Sequence, residues 1–229
     1  MPVVNRQFFD QTAECLAVAL LGTVLRRRVQ TSHGPVWLAA RIIETEAYYR
    51  HERGSHSSLG YTEKRRAMFM PPGTIYMYYA RGADSLNFSA AGHGDGVLIK
   101  SGFPHADTLS PATNLAIMQQ LNPGSQGPRP PARLCNGQTL LCKSLDLKVP
   151  DWNQRYLRRD EFRLEAAAPG PLSYIQCPRI GIPVGRDHEL PYRFVELPYA
   201  SYATSNPLTR RGWREGIDYV TRQRGSEAL

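Results

Sequence analysis

"VWLAARIIETEAYY", residues 36–49, decides how the rest of the chain is read. A mostly apolar run ends in two glutamates one residue apart and two tyrosines, and it reads as a strand with a two-residue period of faces. In an ideal strand Ile42, Glu44, Glu46 and Tyr48 share one face, and Ile43, Thr45 and Ala47 share the other. "TVLRRRV", residues 23–29, reads as its hairpin partner across the turn "TSHG", residues 31–34. Two glutamates on one face of an apolar strand are costly unless paired or put to use. A rise of about 3.3 Å per residue separates them by roughly 6.5–7 Å. That spacing suits an acid–base pair with a water between the groups. It suits equally a structural pair that meets basic side chains. Glu44 is the better structural candidate, with Lys64, Arg65 or Arg66 as partner.

Working outward, "PPGTIYMYYARG" (71–82) opens on a turn and runs into an aromatic strand. Alternation puts Tyr76 and Tyr78 on one face and Tyr79 on the other. "DSLNFSAAGHGDGVLIKSG" (84–102) reads as two more strands around a glycine turn. "HSSLGYTEKRRAMF" (56–69) is a surface loop or short helix, residues 107–121 are helical, and "LNPGSQGPRPPA" (121–132) is an internal loop. "TLLCKSLDL" (139–147) is a short helix, while "SYIQCPRIGIPV" (173–184) and "PYRFVEL" (191–197) are strands. The run Cys15–Leu21 forms a helix capped by Asp10. Strands and helices follow no βαβ rhythm. The expected fold is therefore α+β: one domain with a mainly antiparallel, curved sheet flanked by helices.

A chain of 229 residues has room for one sizeable core. With 28 Lys and Arg against 20 Asp and Glu, its formal net charge is +8. Such a surplus favours a polyanionic partner, with solubility as the plainer alternative. Arg26–Arg28 form either a phosphate-facing cluster or a solvated strand end. The apolar run near the start is too short to span a bilayer and lacks the flanks of a secretion signal, which places the protein inside the cell. The four cysteines contain no C-x-x-C pair and read as reduced, buried hydrophobes rather than metal ligands.

Taken together, "RIIETEAYY" (41–49), "SHS" (55–57), "MFMPPGTIYMYY" (68–79), "SLNFS" (85–89), "GDGVLIKSG" (94–102), "LCNGQTLLCKSL" (134–145) and "RIGIPVG" (179–185) resemble the alkyladenine (3-methyladenine) DNA glycosylase family. The likeness runs in order from about residue 7 to about residue 202. It implies a monofunctional glycosylase that flips alkylated or deaminated purines out of duplex DNA. The N-glycosidic bond is then hydrolysed by a glutamate-activated water, without metal or cofactor. By this resemblance Glu46 is the general base, Lys100 stands beside the water, and the main-chain carbonyl of Ile180 helps to hold it. Tyr48, His56 and Tyr78 form the base pocket, and Asn87 crowds the amino group of normal guanine. Lys64, Arg66 and Met68 fall at the DNA face. His51 is an exposed loop residue outside the pocket.

Three positions depart from the family pattern. Many members carry a wedging tyrosine where this chain has Arg81, which leaves Arg81 or Tyr79 to fill the gap in the DNA. Lys100 replaces an arginine, keeping charge but losing the forked geometry. Leu140 replaces a lysine, which puts one phosphate contact of the family pattern in doubt. Residues 1–202 are expected to form the glycosylase domain, with 203–229 its basic, largely solvated C-terminal extension. The expected partner is damaged double-stranded DNA, met by a monomer. A catalytically inactive lesion-binding module and a glycoside hydrolase using Glu44 and Glu46 are the rival readings.

Overall fold

The computed structural model describes residues 1–225. The hairpin of β1 (Val24–Thr31) and β2 (Gly34–Tyr48) pairs antiparallel from Val24 opposite Arg41 to Thr31 opposite Gly34. It is followed by β3 (Ile75–Ala80), β4 (Ala83–Ser89) and β5 (Gly96–Pro104), then β6 (Phe162–Glu165), β7 (Leu172–Cys177), β8 (Arg193–Glu196) and β9 (Val220–Arg224). All pairings between these strands are antiparallel. Their order is β3-β4-β5-β2-β8-β7-β9, with β1 on the first half of β2 and β6 beyond β1. The result is one α+β domain with an open sheet, and β2 is its axis.

Helix α1 (Ala13–Leu20) lies on the sheet. α2 (Leu115–Leu121), α3 (Gln138–Ser144) and the single-turn α4 (Val149–Trp152) complete the helices among the described residues. Leu16 and Leu20 of α1, Leu38 and Ile42 of β2, Phe88 of β4 and Leu141 of α3 belong to one core. Each fully buried side chain of this size contributes about 1.5–3 kcal/mol. A smaller cluster around Ile43, Ile175 and Val195 forms separately.

The two clusters mark a departure from strict alternation. Pairing of β2 with β5 slips between Ile42 and Glu44 and again between Glu44 and Thr45. Ile42 therefore stays with the α1-side core, and Ile43 joins the second cluster. Thr45 then points back to α1, its hydroxyl donating to the Ala17 carbonyl at 2.8 Å. Glu44 and Glu46 do face away from α1, but Ile42 does not share that face. A bulge re-aims side chains in this way without breaking the strand.

Other expectations are corrected as well. Thr12, not Asp10, caps α1, accepting from the Cys15 amide, while Asp10 ends a preceding 3-10 turn. Within residues 107–121 only Leu115–Leu121 is α-helical, after a short 3-10 turn. The strand expected over 173–184 stops at Cys177, before Pro178, which has no N–H to donate. Arg26 is neither phosphate-facing nor solvated. It is buried and paired with Asp107 and Glu165. Cys135, Cys142 and Cys177 are buried thiols as expected, but Cys15 is exposed.

The C-terminal arginines are not all solvated either. Arg222 and Arg224 lie in β9, paired with β7. Arg224 Nη1 donates to the carbonyls of Val18, Ala19 and Leu21 at 2.8–3.0 Å, so a cation closes the end of α1. Arg210, Arg211 and Arg214 remain exposed. Residues 226–229 of the expected extension lie outside the described residues.

Candidate active site

The faces of β2, β3, β4 and β5 turned away from α1 open into a cleft of about 730 Å³. Tyr48, Tyr76, Tyr78, Asn87 and Lys100 come from the strands. His56, Met68 and Ile180 come from the segments that cross them. The size and the aromatic lining with a few polar groups are those of a small-molecule site.

Glu46 sits behind this wall, fully buried. Its Oε2 accepts a hydrogen bond from the Tyr48 hydroxyl at 2.7 Å. Lys100 Nζ lies 3.4 Å from Oε1 and 3.5 Å from Oε2. Oε1 has no hydrogen-bond donor among the described residues. The nearest cation to Oε1 is the Lys100 ammonium, which pairs with it without a hydrogen bond, and a buried carboxylate oxygen left in that state is unusual. Burial, then the Glu46 charge and the hydrogen bond to it, push the Tyr48 hydroxyl well above its ordinary range. It therefore remains protonated and donating near neutral pH.

Glu44 is held differently. Its Oε1 accepts from Arg193 Nε at 2.7 Å and from the Thr204 hydroxyl at 2.6 Å. Its Oε2 accepts from Ser101 at 2.7 Å and the Thr204 amide at 2.9 Å. Burial would raise this carboxyl, but the Arg193 charge and these hydrogen bonds hold it below its usual range. Glu44 is thus structural, as expected, yet its partner is Arg193 and not Lys64, Arg65 or Arg66. With two bonds to each oxygen it is saturated, which removes it from any paired-carboxylate chemistry.

Tyr76 and Tyr78 stack with centroids 5.4 Å apart, and His56 meets the edge of Tyr78 at 4.5 Å. His56 Nδ1 is 3.2 Å from the Tyr76 hydroxyl. Partial burial, then the charges of Arg65 and Arg186, lower the His56 pKa, favouring the neutral ring. Asn87 Nδ2 donates to the Tyr76 carbonyl at 3.0 Å, fixing the amide in the wall.

At the mouth, Arg81 occupies the tip of the β3–β4 hairpin with φ 52°, followed by Gly82 at φ 81°. Two successive positive φ values are what a two-residue hairpin turn requires. Arg81 lines the cleft, whereas Tyr79 is 59% exposed and lies outside its lining. Met68 is buried against Ala67 and Tyr76 and belongs to the cleft wall rather than to an open surface. Lys64 and Arg66 are exposed on a 3-10 segment, Arg66 lying 3.8 Å from Glu63. His51 is exposed and outside the cleft, stacked on Tyr49. Leu140 lies on α3, where its carbonyl accepts from Asn122.

Sequence alone missed Arg179. Its buried guanidinium donates to the Ala47 carbonyl at 2.7 Å, pairs with Glu52, and lies 4.5 Å from the Tyr48 ring centroid. It fastens the segment that carries Ile180 to β2 between Glu46 and Tyr48. Its place directly before Ile180 was the available signal. Among the described residues no group of three or more His, Cys, Asp or Glu side chains is arranged to hold a metal ion.

Residues 7–198, which include all of these cleft residues, match the methylpurine-DNA glycosylase family model. The chain belongs to this family. It is 57% identical over 213 residues to a Pseudomonas fluorescens protein named "Putative 3-methyladenine DNA glycosylase", covering 93% of this chain and 90% of that one. A Pseudomonas savastanoi protein of the same name is 56% identical over 220 residues, 96% of each chain. The mouse DNA-3-methyladenine glycosylase is 33% identical over 231 residues, covering 95% of this chain and 62% of the mouse protein. Membership sets the reaction class of this methylpurine-DNA glycosylase relative: hydrolysis of N-glycosidic bonds, with DNA as the substrate. No described helix is long and apolar enough to cross a membrane.

Proposed function

We propose that the protein flips a damaged purine, alkylated or deaminated, from duplex DNA into the cleft and releases the base with a water activated by Glu46. The observation that carries this is the buried Glu46 carboxylate, with Oε2 held by Tyr48 and Oε1 without a donor. In the proposed reaction Glu46 takes a proton from water as the water oxygen bonds to C1′ of the sugar. The C1′–N bond breaks and its electron pair leaves with the base. In the proposed reaction the carboxylate also offsets the positive charge that builds on the sugar, while Lys100 stays paired beside it. The Ile180 carbonyl is assigned to holding the water.

Tyr48, His56 and Tyr78 are the proposed base contacts, with planar faces suited to an unstacked purine. Asn87, which lines the cleft, is the proposed residue that crowds an extra amino group. Arg81 is the proposed filler of the gap, since it stands at the cleft mouth and Tyr79 does not. The proposed unit spans residues 1–202 with 203–229 as its extension, and it acts as a monomer on DNA. The relatives' names point to 3-methyladenine. 7-Methylguanine, hypoxanthine and ethenoadenine are the further candidates. Cationic alkylated bases leave readily, while neutral ones need a proton on the ring.

The test is to incubate the protein with duplex oligonucleotides that each carry one of these lesions. Free base should appear together with an unbroken strand that contains an abasic site. A strand cut without added alkali would indicate amine attack by a lysine. Binding of every lesion with release of none would favour a lesion-binding module.

A further inference from the structure

Next to the cleft, beyond Leu59 and Arg186, which border both, is a second concavity of about 620 Å³. Arg50, His51, Arg53 and Arg186 line it, and no carboxylate does. The carboxylates nearby in sequence form no ion pair with the lining guanidinium groups. Asp95 Oδ1 accepts from the Arg50 amide at 2.8 Å, and Asp187 Oδ2 from the Arg53 amide at 2.7 Å. Glu52 is buried against Arg179. Arg186 Nε donates to the Arg53 carbonyl at 2.9 Å, so the two segments forming the concavity are tied together through the main chain.

This leaves a fixed backbone carrying exposed cationic side chains. Arg50 is placed over the Phe69 ring at 5.6 Å and lies 3.3 Å from His93 Nδ1, which limits its sweep. The Arg53 side chain has no hydrogen-bond partner among the described residues and projects from an anchored main chain. A concavity walled by guanidinium groups, without an internal anion, is suited to phosphate oxygens, which guanidinium forks bind in a bidentate manner.

We infer that this shelf binds the phosphodiester backbone of the strand that delivers the flipped nucleotide, immediately beside that nucleotide. The inference rests on the cleft receiving a nucleotide from DNA. The shared border at Leu59 and Arg186 makes the shelf the next surface that strand meets. Its contacts carry no base information, so they set affinity and register rather than lesion choice.

The experiment compares wild type with the double variant Arg50→Gln/Arg53→Gln, whose side chains are exposed. Affinity for lesion duplex is measured across salt concentration, together with single-turnover excision at saturating protein. Loss of two phosphate contacts should reduce the slope of log affinity against log salt by about 1.8. Between about 50 and about 200 mM salt, wild type then loses roughly twelvefold more affinity than the variant. The excision rate at saturation should be unchanged. Arg158→Gln/Arg159→Gln, which removes the same charge from exposed residues that line neither concavity, should keep the wild-type slope.

An unchanged slope in the shelf variant, or an equal drop in the control, overturns the inference while excision by wild type still stands. Wild type that releases no base from any lesion fails the functional reading instead. The slopes, measured on the same duplexes, still decide whether the shelf binds backbone.

Discussion

Glu44 and Glu46 are the same residue type on the same strand, and only their neighbours separate them. Four hydrogen bonds saturate Glu44. Glu46 keeps one oxygen without a donor. Tyr48 has two roles here, as a wall of the cleft and as the donor that orients Glu46. Tyr48→Phe separates them, since the ring remains and the donor is lost. A hydrogen bond to a charged group contributes about 1.5–3 kcal/mol, which corresponds to a drop in excision of roughly tenfold to a hundredfold. Lesion binding should stay near wild type, and an unchanged rate would show that the hydroxyl does not hold Glu46 for reaction. Glu46, Tyr48, Tyr78, Asn87 and Lys100 were legible because they fall inside ordered motifs. Arg179 was not. A buried arginine that grips a main-chain carbonyl leaves no periodic trace, and only the folded chain brings residue 179 next to residues 47 and 52.

At the scale of elements, the bulge in β2 is what places Ile43, Glu44 and Glu46 as they are. The Glu44–Arg193 pair then links β2 to β8 from within, and Thr204 closes over it. Glu44→Gln leaves Arg193 buried without its counter-charge. Breaking such a pair costs about 3–5 kcal/mol, a fall in Tm of roughly 10 °C for a chain of this size. Excision per folded molecule should persist, and loss of excision at an unchanged Tm would place Glu44 in the chemistry. The β1–β2 hairpin and the strands β4 and β5 around their glycine turn were readable because strand pattern and turn residues agree. The bulge was hidden, since it reverses faces without any glycine or proline to mark it. β9 was hidden too. "VTRQR" carries no apolar alternation, and the strand is held by backbone pairing to β7 and by Arg224 at the end of α1.

For the whole molecule, net charge and acid stability are separate consequences of the same arginine-rich composition. Arg26 was a candidate for phosphate contact but serves the fold, bound to Asp107 and Glu165. Burial would raise the Asp107 carboxyl, yet hydrogen bonds from Arg26 and the Ser110 amide, with the Arg26 charge, bring it from 3.8 to about 2. A carboxyl depressed in the folded state stabilises fully above its unfolded value, and that contribution is lost as pH falls through the folded one. Wild type should therefore lose stability relative to Asp107→Asn as pH falls from 3.8 towards about 2, read from urea midpoints. Parallel pH curves for the two proteins would contradict the pairing. The central claim is that Glu46 activates the water that releases the base. Its most direct measurement is single-turnover excision from one lesion duplex by wild type and Glu46→Gln, with binding measured alongside. The variant should bind the lesion as wild type does and release the base about 10²–10⁴ times more slowly. Equal rates from the two proteins would contradict the claim and leave Glu46, like Glu44, a structural residue.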